Sequence, residues 1–338
     1  MTSRERVHRC LAFDHPDRAP RDQWALPGVL ATRAEEWRAL VERYPSDFGG
    51  VPFRYGASTR AKGREYRVGR WADEWGSVWE AKEDGVAGEV KDPPLASWDV
   101  LGTFTPPWEL LDGADLSGVN EACARSGLFI KAPCCPRPFE RMQFLRGTEA
   151  LFLDLAWGVP EAMRLREMVH DYYMRELAMW VRTDVDAVMF MDDWGTQTAL
   201  LISPAQWREV YKPLYKDYCD LAHAHGKRLF MHSDGFIEAI YPDLIEIGVD
   251  ALNSQLFCMD IEGLGERFRG KITFWGEIDR QHILPHGTVE DVREAVRRVR
   301  RALESPAGGA IAQCEWGLLD PADNLHAVFE TWLEPWPG

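Results

Sequence analysis

Short apolar runs that stop abruptly at polar residues recur along this chain, separated by stretches whose apolar positions fall at helical spacing. The segment KRLFMHSDGF, residues 227–236, shows the pattern best, because its apolar run follows Gly226 and ends at His232, Ser233 and Asp234. Such a run predicts a strand covered on both faces, as in parallel α/β sheets, where chemistry collects at the carboxyl ends of the strands. Similar runs centre near Pro20, Gly50, Ile130, Val188, Phe230, Ala251, Phe274 and Ile311. Helical segments are predicted over residues 148–156 and 160–182, from Ser203 with Pro204 in its first turn to Gly226, and after a Thr288 cap with Asp291 three residues on. Strands alternating with helices in this way predict an α/β fold, a (βα)8 TIM barrel formed by one domain over residues 1–338. A doubly wound sheet is the runner-up, and no Gly-rich phosphate fingerprint after any strand supports it. Residues 60–107 alternate apolar and polar positions between glycines and predict a β-hairpin insertion with one covered face.

A hydrophobic content of 46% in 338 residues allows a large core. The start MTSRERVHRC has no apolar signal core, no lipidation motif closes the chain, and no run of about 18 apolar residues occurs. These features predict a soluble cytoplasmic protein without a membrane segment. Lys and Arg total 39 against 54 Asp and Glu, a net charge of −15, which repels nucleic acid and strongly acidic substrates. Seven irregularly spaced cysteines read as free thiols or metal ligands rather than a disulfide framework.

The candidate chemistry lies at the strand ends. His232 and Asp234 stand two apart, and with Cys314 from the last strand they offer nitrogen, oxygen and sulfur donors that zinc accepts, leaving a fourth position open. By spacing alone the alternatives stand: His232 as a hydrogen-bonded pocket residue, Asp234 as a helix cap and Cys314 as an inert packing residue. Asp192 and Asp193 divide between a helix cap and a pocket acid or base, Glu277 is a fourth ligand or proton carrier, Asp279 shares that ambiguity, and Cys134 and Cys135 are packing residues. Trp24, Trp75, Trp194, Trp275 and Trp316 fall near strand ends or in the insertion and would give a flat apolar lining for a ring-shaped ligand, while most of the 15 tryptophans pack the core.

The segments DAVMFMDDWGTQTALLISPAQWREVYKP, GKRLFMHSDGFIEAIYPDLIEIGVDALNSQ, KITFWGEIDRQHILPHGTVEDV and DPADNLHAVFE together resemble the uroporphyrinogen decarboxylase superfamily. Within it they resemble the cobalamin-dependent methyltransferase branch, which includes methylcobalamin:coenzyme M methyltransferases and O-demethylase-like enzymes. The resemblance spans residues 186–330, with RERVHRCLAFDHPDRAP and DEWGSVWEA as weaker matches, and it implies a (βα)8 barrel. The arginine-rich R-x-A-G-R-Y segment that holds propionates in true decarboxylases is replaced here by RDQWALPGVLATR. In the methyltransferase branch a His-x-Cys pair and a later cysteine bind zinc. His232 matches the histidine, Cys314 matches the later cysteine ten residues before Asn324, and Asp234 occupies the place of the first cysteine.

Exchanging thiolate for carboxylate hardens the site and favours an oxygen-bearing donor. The resemblance thus implies a zinc-dependent methyltransferase that moves a methyl group from a small, methoxylated aromatic substrate to the cobalt of cobalamin, with the corrinoid carried by a partner protein. It implies Asp193, Glu277 and Glu315 as proton-handling residues, Trp24, Asp192, Trp194, Asn253 and Trp275 as substrate contacts, and His232, Asp234 and Cys314 as metal ligands. No Asp-x-His-x-x-Gly corrinoid segment occurs in the chain itself. The alternatives are a metal-free decarboxylase using His232 and Asp234 as an acid/base pair, or a non-catalytic corrinoid-binding protein. An exposed tryptophan-rich insertion would suit a homodimer.

Overall fold

The computed structural model describes residues 1–336. Every predicted apolar run forms a strand: β1 (Arg21–Ala25), β2 (Phe48–Gly49), β6 (Phe129–Ile130), β7 (Ala187–Met191), β8 (Arg228–Ser233), β9 (Ala251–Ser254), β10 (Thr273–Trp275) and β11 (Ala310–Trp316). The insertion contributes β3 (Gly69–Ala72), β4 (Val78–Ala81) and β5 (Glu89–Asp92).

Six strands pair in parallel, in the order β1-β11-β10-β9-β8-β7, as a curled open sheet flanked by helices, and β2 and β6 form a separate parallel pair. The two sheets meet at both edges without forming a ladder: the Asp47 amide donates to the Arg21 carbonyl (2.9 Å), and around an isolated parallel bridge from Lys131 to Ala187 the Ala132 amide donates to the Ala187 carbonyl and the Asp186 amide to the Ile130 carbonyl (2.8 Å each). The architecture is therefore an open half-barrel with a short companion pair, where a closed eight-stranded barrel was predicted. Pro52 after β2, and Pro133 and Pro136 after β6, remove ladder donors and keep these two strands to two residues each.

Strand alternation sorts the side chains into two layers. Phe129, Ala187, Phe230, Ala251, Trp275 and Ile311 face inward and cluster with Val7, Cys10 and Leu11 of the first helix, Ser3–Leu11. Leu229, Met231, Leu252, Phe274, Cys314 and Trp316 face the surrounding helices in the larger core. Full burial of each large side chain contributes about 1.5–3 kcal/mol, so both layers matter to stability.

The helix predicted from Ser203 to Gly226 is broken into Pro204–Val210 and Lys212–Ala224, because Pro213 lacks the amide that would continue it. The arginine run on helix Val289–Leu303 is neutralised by neighbours, with Arg297 on Glu334 and Arg298 on Glu262, while Val292, Val296 and Val299 are buried. That run is a solvated face and not an anion-binding stripe.

The insertion contains the predicted hairpin, β3 with β4, extended by β5 into a three-stranded antiparallel sheet. Its tryptophans turn toward the body of the protein: Trp75 is buried against Tyr172, and Trp79 packs edge-on against Phe144. The rationale for a dimer through exposed tryptophans is thereby removed. Among the described residues no helix is long and apolar enough to cross a membrane.

A candidate metal centre at the strand ends

Adjacent strands β7 and β8 run in register, with Met191 opposite His232. Two acidic motifs, Asp192-Asp193-Trp194-Gly195 and His232-Ser233-Asp234-Gly235, therefore leave the sheet side by side. Their loops are sewn together: the Gly195 amide donates to the Asp234 carbonyl (3.0 Å), the Asp234 amide to Asp193 Oδ1 (2.9 Å), and the Phe236 amide to the Thr196 carbonyl (2.7 Å). The approach requires glycine on both sides, since a Cβ on Gly235, at φ +79°, would lie 2.1 Å from the Gly195 oxygen.

This crossing brings one ligand atom each from Asp193, His232 and Asp234 within 4.8 Å of one another. His232 Nε2 is 3.6 Å from Asp193 Oδ1 and 3.4 Å from Asp234 Oδ1. His232 Nδ1 lies 2.5 Å from Asn253 Oδ1, and the Asn253 amide nitrogen donates to the Trp275 carbonyl and to Gln313 Oε1 (3.0 Å). Those two acceptors fix the amide orientation, so Nδ1 donates to Asn253 and Nε2 is the ring nitrogen turned toward the carboxylates. This is how a metal-binding histidine is oriented from behind.

Arg280 closes the other side. It pairs with Asp234 Oδ2, with Glu315 Oε2 (2.8 Å) and, at 3.7 Å, with Glu277 Oε2. Arg137 approaches Glu140 at 4.0 Å. Five carboxylates thus share two guanidiniums and one histidine. Asp234 Oδ1, Glu277 Oε1 and Glu140 Oε2 are buried without a hydrogen-bond partner in the protein. The unpartnered Asp234 Oδ1 and the Asp193 carboxylate, converging on His232 Nε2, fit a divalent cation of zinc type, which takes nitrogen and carboxylate ligands.

Burial drives the titration shifts. The Glu277 carboxyl is pushed up to about 8, chiefly by desolvation and further by Asp234 and Glu315, and Glu140 to about 7 by desolvation and Asp193. Asp193 is raised by burial first and Asp234 second. Between pH 4.5 and about 8 the folded chain holds a proton on Glu277 that the unfolded chain releases, so stability falls as pH rises through this window. Glu277→Gln should flatten that fall by up to about 1.4 kcal/mol per pH unit in metal-free protein, read from urea midpoints at about pH 5.5 and about pH 7.5. Parallel pH curves for the variant and the wild type would count against the buried proton.

Several predicted residues serve other purposes. Cys314 lies on the outer face of β11, beside Gln23 in the register, while its neighbours Gln313 and Glu315 point inward with Trp24. Its thiol is fully buried and pushed well up by desolvation, and it is not brought to the His232 group. Asp192, assigned to substrate, accepts the Phe139 and Glu140 amides (2.9 and 2.8 Å) and the Tyr215 hydroxyl (2.6 Å), so it caps helix Pro138–Arg146. Trp194 is fully buried and stacks on Phe139 at 4.0 Å; Trp275 is buried in the inner layer and donates to Asp22. Trp316 is outer core. Asn253 positions His232 and is itself fully buried. Asp279 accepts the Gln281 and His282 amides in a turn. Trp24, half-buried and 5.7 Å from the His232 ring, stays beside the group.

Arg280, Arg137 and Glu140 escaped sequence reading. The excess of acids at the strand ends was the available signal, because clustered buried carboxylates need a cation.

Residues 138–332 match the family model described as uroporphyrinogen decarboxylase (URO-D). Among solved structures, a methyltransferase from Methanosarcina mazei is 14% identical with a TM-score of 0.69, the alignment covering 98% of each chain. An endo-β-1,4-xylanase from Gloeophyllum trabeum is 10% identical with a TM-score of 0.46, covering 96% of this chain and 98% of that one. At such identities the first likeness speaks to the fold alone. No curated protein matches.

Proposed function

The chain belongs to the uroporphyrinogen decarboxylase (URO-D) family, and on that premise we propose that it is a metal-dependent methyltransferase that takes a methyl group from a methoxylated aromatic compound. The acceptor in this reading is the cobalt(I) of a cobalamin carried by a partner protein, and the six-stranded and two-stranded sheets are the two parts of one (βα)8 barrel. The observation that carries the proposal is His232 Nε2, held in place through Asn253 and converging with a carboxylate oxygen each from Asp193 and Asp234.

Asp193, His232 and Asp234 would hold zinc, with the expected thiolate of Cys314 replaced by the Asp193 carboxylate. When bound, the metal supplies Lewis acidity to the ether oxygen of the donor. Arg280 keeps Asp234 and Glu315 oriented and screens their charge. Glu277, protonated near neutrality, delivers its proton to the departing oxygen. Trp24, its ring 5.7 Å from that of His232, flanks the group on the β1 side. The balance is an aryl methyl ether plus cobalt(I) plus one proton giving a phenol and methyl-cobalt(III), with the O–CH3 electron pair remaining on oxygen and the new bond pair coming from cobalt.

The test is methyl transfer from a methoxylated aromatic to added cob(I)alamin by zinc-loaded protein, followed by corrinoid absorbance and the phenol product. Transfer abolished by EDTA is expected. Cys314→Ala should keep bound zinc within about twofold of wild type, because the thiol packs in the helix layer. Zinc lost in that variant, or never retained by the wild type, would refute the site. The ion pair of Arg280 with Asp234 favours one second reading, a metal-free lyase of the decarboxylase type, and a wild type without metal after zinc loading would turn attention there.

A further inference from the structure

Along each strand the residue two positions on faces the same way, so the interior of the half-barrel is built in layers. The first layer holds Phe129, Ala187, Phe230, Ala251 and Ile311. One step nearer the carboxyl ends the same faces carry Lys131, Met189, His232, Asn253 and Gln313. His232, Asn253 and Gln313 are joined by hydrogen bonds, so this second layer is the floor of the candidate metal centre. Lys131, just past β6 and bridged to Ala187, belongs to that floor and has no part in the chemistry proposed above.

The Lys131 side chain crosses the interior from β6 to β1 and ends among ring faces. Its Nζ lies 3.9 Å from the centre of the Trp275 ring, 5.4 Å from Trp24, 5.6 Å from Phe48 and 5.7 Å from Phe230. The one carboxylate paired with it, Asp22, stands at 3.7 Å, beyond hydrogen-bond range. Asp22 Oδ2 is already taken by the indole N–H groups of Trp24 and Trp275 (3.1 Å each). A buried ammonium ordinarily finds acceptors for its three donors, whereas this one meets aromatic walls while 16% of its side chain stays open. Burial holds the amine below its ordinary value against the opposing pull of Asp22 and Cys135, and the ring faces recover only part of the lost hydration. Trp24 also flanks the His232 ring at 5.7 Å, so a single side chain separates the amine from the centre.

We propose that Lys131 is a nucleophilic amine that captures a small, uncharged aldehyde or ketone as an imine on the floor of the half-barrel. A lysine desolvated in an apolar box is suited to that addition, because its lone pair is free and no hydrogen bond holds it back. The nitrogen pair forms the C–N bond as the carbonyl π pair moves to oxygen. Both amine hydrogens then pass to that oxygen, which departs as water while the C=N bond closes, so the balance is amine plus carbonyl giving imine plus water. Asp22, its carboxyl raised by burial and standing beside the amine, is placed to carry those protons. The aromatic walls restrict the guest to a compact apolar one, and neither oxidant nor metal enters the step. The inference stands apart from methyl transfer and does not depend on it.

Brief exposure of the full-length protein at neutral pH to acetaldehyde with cyanoborohydride, which reduces an imine to a stable ethylamine, tests this by peptide mass spectrometry. Lys131 is expected to be ethylated ahead of the exposed Lys62 and Lys271. Its lead should vanish in urea, where all lysines share one environment. Lys131→Arg keeps the positive charge and should lose the early adduct from the intact mass, while the exposed lysines react as before. Ethylation of Lys62 and Lys271 in the folded wild type with Lys131 untouched, or no faster than they are, would overturn the inference whatever the variant does. The amine would then be a structural ammonium spanning β6 and β1.

Discussion

His232→Ala is expected to release the bound zinc and to lower methyl transfer by about a thousandfold or more, since it removes the one nitrogen donor of the group and the Lewis acid with it. Of the three ligand residues, His232 is the one whose side chain takes no part in the loop crossing or in an arginine pair. Asp193 also holds the Asp234 amide, and Asp234 also pairs with Arg280, so replacing either disturbs the loop crossing as well as the site. His232 makes one side-chain hydrogen bond, to Asn253, and its loss leaves the Asn253 oxygen buried and unpaired at a cost of about 1–3 kcal/mol. Such a loss leaves a large domain folded, so metal content can be compared at matched circular dichroism. Elemental analysis of both proteins after identical zinc loading reads the result. Zinc retained by the variant at the wild-type level would mean that the carboxylates bind it alone and that the histidine is a pocket residue.

The sheet was legible in the sequence because a strand buried on both faces leaves a continuous apolar run, and every one of the runs found became a strand. Closure was not legible, since β2 and β6 are shortened by prolines whose effect depends on which neighbours they would have paired with. The site was legible only as far as strand ends can be counted. Cys314 was placed by its distance along the chain, but a strand turns alternate residues to opposite faces, so Glu315 pointing inward sends Cys314 outward. The same alternation splits the adjacent acids, giving Asp192 to a helix terminus and Asp193 to the cluster. The tryptophans announced burial without announcing where. Arg280 meets Asp234 and Glu315, and Arg137 meets Met191, across separate elements that no local spacing marks; only their approaches to Glu277 and Glu140, three residues away, are local.

Gly235→Ala is expected to cost both stability and metal, and it tests the crossing that creates the site. At φ +79° an alanine pays about 1–2 kcal/mol for the left-handed backbone alone. The new Cβ would also meet the Gly195 carbonyl at 2.1 Å, a backbone atom that no rotamer change can move. Relief requires the two loops to separate, and they carry Asp193 and Asp234 on either side of the close contact. The total loss is set at about 3 kcal/mol or more, with zinc affinity falling because the carboxylates no longer converge. Gly226→Ala is the matched control: its φ of +69° imposes a similar backbone cost, yet nothing lies within 4 Å of its Cβ, and it precedes β8 at the end remote from the site. Urea unfolding and zinc titration of both variants separate the effects. Stability lost in both but zinc affinity lost only in Gly235→Ala is the expected pattern, because only that substitution pushes one ligand loop away from the other. Zinc bound by Gly235→Ala as tightly as by the control would mean that the ligands do not depend on the crossing and that the acidic motifs meet for another reason.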